Sequence, residues 1–144
     1  GLLVEPISDQ FNFCKKVRKN SVVENFCLTN LSNSSEESKV YSSNHTSRVA
    51  TKKDLEEENE IEVVKNNNLD NLLKQYHIEH VDIMSLDVEG YEIEVLNGYN
   101  DDKKVIEYLL VETWDFRKFS SYAKDRNWQY VCNWSESDFL FKLR

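Results

Sequence analysis

Short runs of apolar residues alternate with amphipathic segments along this chain of 144 residues. The runs at Leu2–Val4, Val22–Thr29, Val81–Leu86 and Val105–Glu112 contain few polar interruptions. Strands that are buried on both faces of a parallel sheet have this near-continuous character, whereas half-buried strands alternate polar and apolar residues. These four segments are therefore predicted to be buried strands.

Segments with helical spacing separate the predicted strands. They run from Ser8 to Asn20, from Leu69 onward for a short helix, from Tyr91 to Asn97, and from Phe116 to Arg126. Ser8 or Asp9 is a suitable N-cap for the first helix, and Gly98 is placed as the C′ glycine of the third. Strands that alternate with helices predict a mostly parallel sheet with helices on both faces.

The C-terminal part has a different pattern. Trp128–Cys132 and Phe139–Leu143 are two apolar runs with no helix between them, only the polar residues of a hairpin loop. We therefore expect an antiparallel strand at this end of the sheet. The whole chain, residues 1–144, is predicted to form one α/β domain.

Residues 31–60 interrupt this pattern with a polar stretch. Few of its residues suit a core, and we expect a loop-rich insertion within the domain. Lys39 to Ser43 is a candidate for a short edge strand, and the acidic run Glu56–Glu60 is expected to be solvated surface. A further strand is predicted at Glu60–Lys65.

The charge of the chain excludes several classes of partner. It has 26 acidic and 18 basic residues and a formal net charge of −8. We expect no nucleic-acid partner and no anionic membrane surface, because both require a basic face. No apolar run is long enough to span a bilayer.

The three cysteines, at Cys14, Cys27 and Cys132, are far apart and lack the spacing of a zinc site. They are interpreted as buried free thiols of a reducing, cytoplasmic compartment. No metal site is predicted from the sequence.

Three of the predicted strands end in an acidic residue, at Glu5, Asp87 and Glu112. In open α/β sheets, ligands bind beyond the carboxyl ends of the strands. A carboxylate such as Glu5 can accept hydrogen bonds from both hydroxyls of a ribose there. On position alone, a plain polar end to the strand explains Glu5 equally well.

The segment "SLDVEGYEIEVLNG" concentrates charge where a strand gives way to a helix. Gly90 suits a tight turn, and Glu92 suits the positive N-terminal end of the helix. Glu94 fits a solvated helix face. Asp87 and Glu89 are candidate site residues, although capping of the helix accounts for one of them.

The longer segment "HVDIMSLDVEGYEIEVLNG" closely resembles the signature of the FkbM-type methyltransferases, a branch of the class I methyltransferases that use S-adenosylmethionine. "LLVEP", "VVENFCLTN", "YLLVET" and "DFLFKL" resemble further strands of that family, in the family's order. The resemblance spans essentially the whole chain. It implies a Rossmann-like, mostly parallel sheet.

The resemblance also implies roles for individual residues. Glu5 would bind the ribose hydroxyls of S-adenosylmethionine, and Leu28 and Thr29 would lie near its adenine. Asp87 would face the cofactor in the methyl-transfer region, with Glu89 close by; both are candidate catalytic residues. The implied acceptor is a hydroxyl group of a sugar, glycan or small metabolite.

The chain departs from the family at its start. The family's first strand and its Gly-rich loop have no counterpart, and the chain begins at what would be the second strand. We therefore expect an N-terminally truncated domain with a gap in its sheet.

O-methyl transfer with Asp87 as general base is the leading functional hypothesis, and a non-catalytic methyltransferase-like fragment or interaction domain is the alternative. A phosphoacceptor receiver domain is disfavoured, since "YLLVETW" supplies no lysine at the strand end.

Overall fold

The computed structural model describes residues 1–30, 37–42, 47–56, 61–100, 102 and 105–144. Its contacts fall within two compact units, Gly1–Asn68 and Leu69–Arg144. No helix in the described ranges is both long and apolar enough to cross a bilayer.

The first unit begins with a strand, a helix and a parallel strand. Strand β1 (Leu2–Val4) pairs in parallel with β2 (Val22–Glu24), and helix α1 (Ser8–Val17) connects them. The N-cap of α1 is Ile7, without a side-chain cap, so the predicted caps at Ser8 and Asp9 are wrong. Ser8 lies within the helix, where its hydroxyl donates to Glu62.

A second sheet of this unit has the strand order β3-β6-β4-β5. Its strands are β3 (Cys27–Leu28), β4 (Glu37–Ser42), β5 (Ser47–Val49) and β6 (Ile61–Asn67). β3 runs parallel to β6, whereas β4 is antiparallel to both β5 and β6.

The strand predicted over residues 22–29 is therefore two strands in two sheets. The chain breaks at Asn25, whose side-chain amide donates to the carbonyl oxygens of Glu5 and Pro6 at 2.9 and 2.8 Å. These bonds fix the chain against the end of β1, so it cannot continue the same ladder.

The predicted insertion is partly regular structure. β4 is an internal strand rather than an edge, and β5 and helix α2 (Lys52–Glu56) follow it. Val40 of β4 is buried with Val64, Ile7 and Cys27. The burial of Val40 thus stabilises a strand whose other residues are too polar for the strand to be predicted from the sequence. Residues 31–36, 43–46 and 57–60 of this stretch lie outside the described residues.

An ion pair between a half-buried arginine and a buried aspartate supports the same region. The guanidinium of Arg48 donates to both carboxylate oxygens of Asp54, at 2.6 and 2.8 Å. The backbone N–H and the hydroxyl of Thr51 also donate to Asp54. Asp54 is only 5% exposed, and these donors hold the pKa of its carboxyl group well below the usual range.

The second unit contains one sheet and three helices among its described residues. The strand order is β7 (Val81–Leu86), β8 (Ile106–Glu112), β10 (Asp138–Leu143) and β9 (Trp128–Asn133). β7 and β8 are parallel, and β10 is antiparallel to both β8 and β9, which confirms the antiparallel C-terminal strand. The helices are α3 (Leu69–Gln75), α4 (Glu92–Asn97) and α5 (Phe116–Asp125).

Each unit thus has its own mixture of strand directions. Across the described residues there are three sheets, and antiparallel pairs join the parallel pairs β1–β2, β3–β6 and β7–β8. The expectation of one mostly parallel, Rossmann-like sheet is therefore not met. The antiparallel pairs are β4–β5 and β4–β6 in the first unit, and β8–β10 and β9–β10 in the second.

The core of the second unit lies around β8. Leu109 and Val111 of this strand are fully buried, together with Phe119 of α5 and Phe141 of β10. The Phe119 and Phe141 rings meet edge to face, with centroids 5.3 Å apart. Because β8 is packed on both faces, its end is a rigid support for the side chains that follow.

β7 lies at the edge of the same sheet. Among the described residues it pairs with β8 alone, and its Ile83 side chain is 57% exposed. The prediction that Val81–Leu86 is a buried strand is therefore wrong, because Leu86 is its one buried residue.

The interpretation of the cysteines requires a correction. All three are free, but Cys27 alone is buried, and burial raises the pKa of its thiol. Cys14 is half-buried and Cys132 is exposed on the edge strand β9.

The pKa of Asp54 leads to a testable pH dependence. Its folded pKa lies below the unfolded value of about 3.9, so its stabilisation is complete above that value and is lost as pH falls through the folded pKa. We expect Asp54→Asn to lower the free energy of unfolding at neutral pH, and the difference from wild type to shrink below about pH 4. Urea unfolding across this range measures it.

Asp125→Asn, which removes an exposed carboxylate, is the matched control and should show little change. A difference between wild type and Asp54→Asn that stays constant across the pH range would contradict the ion-pair explanation.

Candidate functional site

The register of β7 and β8 brings two acidic residues to one end of the sheet. Leu86 is the Cα partner of Val111, so Asp87 and Glu112 are the next residues of the two parallel strands. Asp138, at the start of β10, is the antiparallel partner of Glu112. We call Asp87, Glu89, Glu112 and Asp138 the carboxyl edge.

Asp87 directly follows β7, and its side chain is exposed. Partial burial raises the pKa of Asp87, and the negative charges of Glu89 and Asp138 raise it further. Hydrogen bonding with the Glu112 side chain and the Glu89 backbone N–H opposes this rise, but the net direction of the pKa shift is upward.

Glu112 is held from the side of the β9–β10 hairpin. The Ser137 hydroxyl donates to Glu112 Oε1 at 3.3 Å, and the Thr113 N–H donates to the Ser137 carbonyl at 2.9 Å. The Ser135 hydroxyl donates to Asp138 Oδ2 at 2.5 Å. The sequence identified Glu112 only as an acidic strand end and missed Asp138, because the β8–β10 pairing that joins them is not visible in either segment.

The turn after Asp87 has an unusual backbone. Glu89 has φ 51° and Gly90 has φ 96°, so two successive residues are left-handed. Gly90 reaches this region without the strain that a Cβ would add, which confirms its predicted place in a tight turn. The turn reverses the chain between β7 and α4 and fixes the position of Asp87.

Helix α4 begins differently from the capping prediction. Its N-cap is Tyr91, without a side-chain hydrogen bond, so neither Asp87 nor Glu89 caps it. Glu92 instead reaches back, and its Oε1 accepts from the Gly90 N–H at 2.7 Å. Gly98 is the C-cap with φ −85°, not a left-handed C′ glycine.

Glu92 is the most enclosed acidic side chain in this region. It is 4% exposed, and burial raises the pKa of its carboxyl group, with smaller contributions from Asp87 and Glu89. Its bonds to the backbone N–H groups of Gly90 and of Glu92 itself oppose this rise. Glu92 therefore stabilises the turn through its hydrogen bond with the Gly90 N–H.

Glu5 lies in the first unit and supports a turn of its own. Its carboxylate accepts from the Ile7 N–H at 2.9 Å, and its backbone N–H donates to the Glu24 carbonyl. The carboxylate thus fixes the chain between β1 and α1. A carboxylate can accept several hydrogen bonds at once, so the bond from Ile7 leaves acceptor positions on Glu5 for other donors. Recognition of ribose by Glu5 remains a prediction.

Leu28 and Thr29 follow β3 in the same unit. Leu28 is half-buried and pairs with Asn67, whose carbonyl also accepts from the Thr29 N–H at 2.9 Å. The Thr29 side chain is buried. The structure therefore brings Asp87 and Glu89 together in the second unit, whereas Glu5, Leu28 and Thr29 belong to the first.

Among the described residues, the structure contains a further feature that could bind a ligand, a groove away from the carboxyl edge. A groove of about 400 Å³, lined by residues that include Leu73, His77, Ile78 and Val105, lies before β7 and β8 and so away from the carboxyl edge. Within the described part of the chain, no three His, Cys, Asp or Glu residues are arranged to hold a metal ion.

Comparison with known proteins identifies one family. The family model described as "Methyltransferase FkbM domain" matches residues 3–135. No curated protein and no solved structure shows a significant match. The matched range includes Glu5, Leu28, Thr29, Asp87 and Glu89.

The buried Glu92 leads to a prediction with a defined pH dependence. Its folded pKa is above the unfolded value of about 4.3, so its cost to stability appears as pH rises through that value and is complete above the folded pKa. We expect Glu92→Gln to increase the free energy of unfolding at neutral pH, because the amide oxygen still accepts from Gly90 without a buried charge. The gain should vanish near pH 4.

Urea unfolding at both pH values measures the effect. Glu94→Gln removes a half-buried charge from the same helix and serves as the control. A loss of stability in Glu92→Gln at neutral pH would show that the charge itself stabilises the turn.

The left-handed turn gives a second prediction. A Cβ at Gly90 would meet no atom within 4 Å, so Gly90→Ala tests backbone conformation alone. We expect a loss of about 1–2 kcal/mol in the free energy of unfolding, and a smaller loss for Gly90→Asn, which tolerates positive φ. Equal losses in the two variants would argue against backbone strain as the cause.

Proposed function

Because the chain belongs to the FkbM methyltransferase family, we propose that it transfers the methyl group of S-adenosylmethionine to a hydroxyl oxygen of a sugar or small metabolite. The observation that carries this proposal is the placement of Asp87. Asp87 directly follows β7, at the end of the parallel pair β7–β8, and partial burial raises the pKa of its carboxyl group.

Residues of each unit, taken separately, are suited to parts of this cofactor. S-adenosylmethionine supplies a methyl group on a positively charged sulfur, and the acidic carboxyl edge is a favourable environment for such a cation. The Glu5 carboxylate offers acceptors for a ribose diol, and Leu28 and Thr29 offer a partly apolar neighbourhood for adenine. The printed sequence contains no Gly-x-Gly loop for the methionine portion.

Asp87 is assigned the role of general base. The acceptor O–H bond breaks as the O–CH₃ bond forms, and the Asp87 carboxylate takes the released proton. A carboxylate with a raised pKa performs this step better than one at its ordinary value, since its proton affinity is closer to what neutral pH requires. Glu89 shapes the turn through its left-handed backbone and orients the acceptor with its carboxylate.

Two exposed indoles support a sugar or a similar ring as the acceptor. Trp114 follows Glu112 by two residues and is 76% exposed. Trp134 is 72% exposed and begins the loop between β9 and β10, whose Ser137 contacts Glu112. The flat face of an exposed indole suits a ring with an apolar face and several hydroxyl groups.

The alternative function is that of a non-catalytic interaction domain. The edge position of β7 and the exposure of Ile83 favour it, because an edge strand can receive a strand from a partner. Binding of S-adenosylmethionine separates the two functions, since an interaction domain of this kind does not require the cofactor.

Calorimetric titration of the full-length protein with S-adenosylmethionine tests the proposal. We expect binding in wild type and roughly tenfold to hundredfold weaker binding in Glu5→Gln, because the variant loses charge-assisted bonds to the ribose. Glutamine keeps an acceptor for the Ile7 N–H, so the turn at Glu5 is preserved. Glu5→Ala removes both the acceptor for the Ile7 N–H and the acceptors for the ribose hydroxyls.

Glu79→Gln, at an exposed position before β7, is the matched control and should bind as wild type does. Absence of binding in wild type would overturn the methyltransferase proposal. Equal binding by wild type and Glu5→Gln would overturn the assignment of Glu5 alone.

A further inference from the structure

We propose that helix α1 presents a docking face for an acidic, amphipathic segment of a partner protein. The face consists of Phe13, Lys16 and Val17, and we call it the outer face of α1. Arg18 and Lys19 extend it beyond the last helical turn. The inference is independent of methyl transfer, because it rests on one helix of the first unit and on none of the residues assigned to the cofactor or acceptor.

The distribution of charge along the chain sets this helix apart. Residues 10–23 contain four basic residues, at positions 15, 16, 18 and 19, and no acidic residue. The whole chain has a formal net charge of −8, so the residues outside this segment, without its four positive charges, sum to −12. A local charge of +4 in so acidic a protein attracts a negatively charged partner to this one place.

One side of α1 packs against its own unit, and another side carries apolar residues into solvent. Phe11 and Cys14 are half-buried, and none of the ten residues of α1, all of them described, is fully buried. Phe13 is 60% exposed and Val17 is 50% exposed. Because residues four apart lie on one face of a helix, these two form an exposed apolar strip, with Lys16 beside it.

The helix dipole explains part of this arrangement. Basic residues at the C-terminal end of a helix are stabilised by the partial negative charge there. This accounts for Lys15 and Lys16, which lie in the last turn, without any partner. It does not account for Phe13 and Val17, since the exposed face of a surface helix is normally polar. The apolar pair beside the cations is therefore the feature that indicates a partner.

The helix is held at both ends and needs no ordering before it binds. The Glu62 carboxylate of β6 accepts from the N–H and the hydroxyl of Ser8, at 3.0 and 2.6 Å. At the other end, the Arg18 N–H donates to the Cys14 carbonyl at 2.8 Å. A surface that is already ordered loses less conformational freedom on association, which favours binding.

The chemistry of the outer face favours a protein segment over other polyanions. An acidic amphipathic helix offers carboxylates to Lys16 and Lys19 and an apolar side chain to Phe13 and Val17, at matching helical spacing. A nucleic-acid duplex presents phosphates and would leave the apolar pair without a contact. Two apolar side chains are a small face for insertion into lipid. Both of these polyanions also repel the negatively charged remainder of the chain.

The test uses the full-length protein and a synthetic helical peptide of glutamate, leucine and alanine, with its leucines on one face. In an amide NMR titration, we expect the largest shifts in α1 around Phe13 and Val17, and binding that weakens with added salt. The same peptide with lysine in place of glutamate should not bind. No shift in α1 at about 1 mM glutamate peptide, or equal shifts with the lysine peptide, would overturn the proposal.

Two variants separate the charged and the apolar parts of the outer face. Lys16→Glu and Phe13→Gln change exposed side chains, so both proteins should fold as wild type does. We expect roughly tenfold weaker binding of the glutamate peptide, or more, in each variant. Lys124→Gln removes an exposed lysine from the last turn of α5 and is the matched control, which should bind as wild type does. Wild-type affinity in Lys16→Glu would overturn the proposal.

Further measurements identify the other possible occupants. Sedimentation equilibrium of the protein alone detects self-association, and dimers that form in wild type but not in Lys16→Glu would overturn the proposal in favour of a second copy. Phosphatidylserine vesicles and duplex DNA test the other polyanions. Binding to either one that is lost in Lys16→Glu, without binding of the glutamate peptide, would overturn it as well. A monomer that binds the glutamate peptide through α1 supports it.

Discussion

The in-register parallel pairing of β7 and β8 is the constraint on which the candidate site depends. Leu86 and Val111 are buried partners, and their burial fixes how far each strand extends. Asp87 and Glu112 follow immediately, so the fold brings two acidic groups to the same end of the sheet, where their negative charges repel each other. Hydrophobic burial in the sheet thus opposes electrostatic repulsion at its end.

Most elements of the second unit could be predicted from the sequence, because polar turn residues separate its apolar runs along the chain. Val81–Leu86 is observed with its predicted bounds, and the antiparallel C-terminal strand is confirmed. The first unit was harder to predict. Asn25 ends a strand through side-chain bonds to distant carbonyl groups, and Val40 anchors a strand within a polar stretch. Both effects require tertiary contacts that a local pattern does not contain.

The candidate site shows the same division. Asp87, Glu89 and Gly90 are adjacent in the chain, so their shared turn could be predicted from spacing alone. The contribution of Glu112 could not, because it depends on the register of two strands, and Asp138 reaches the edge only through a third. The N-cap of α4 was mispredicted because Glu92, inside the helix, accepts the hydrogen bond from the Gly90 N–H. Asp87 and Glu89 therefore do not cap the helix.

The left-handed conformation of Glu89 and Gly90 limits which substitutions this turn tolerates. The letters D-V-E-G combine two demands of different kinds. Position 90 requires a residue whose main chain accepts positive φ, whatever its charge, whereas the role proposed for position 87 requires a carboxyl group. A mutant library can therefore vary the backbone conformation at position 90 and the side-chain charge at position 87 independently, although the two positions lie within four consecutive residues.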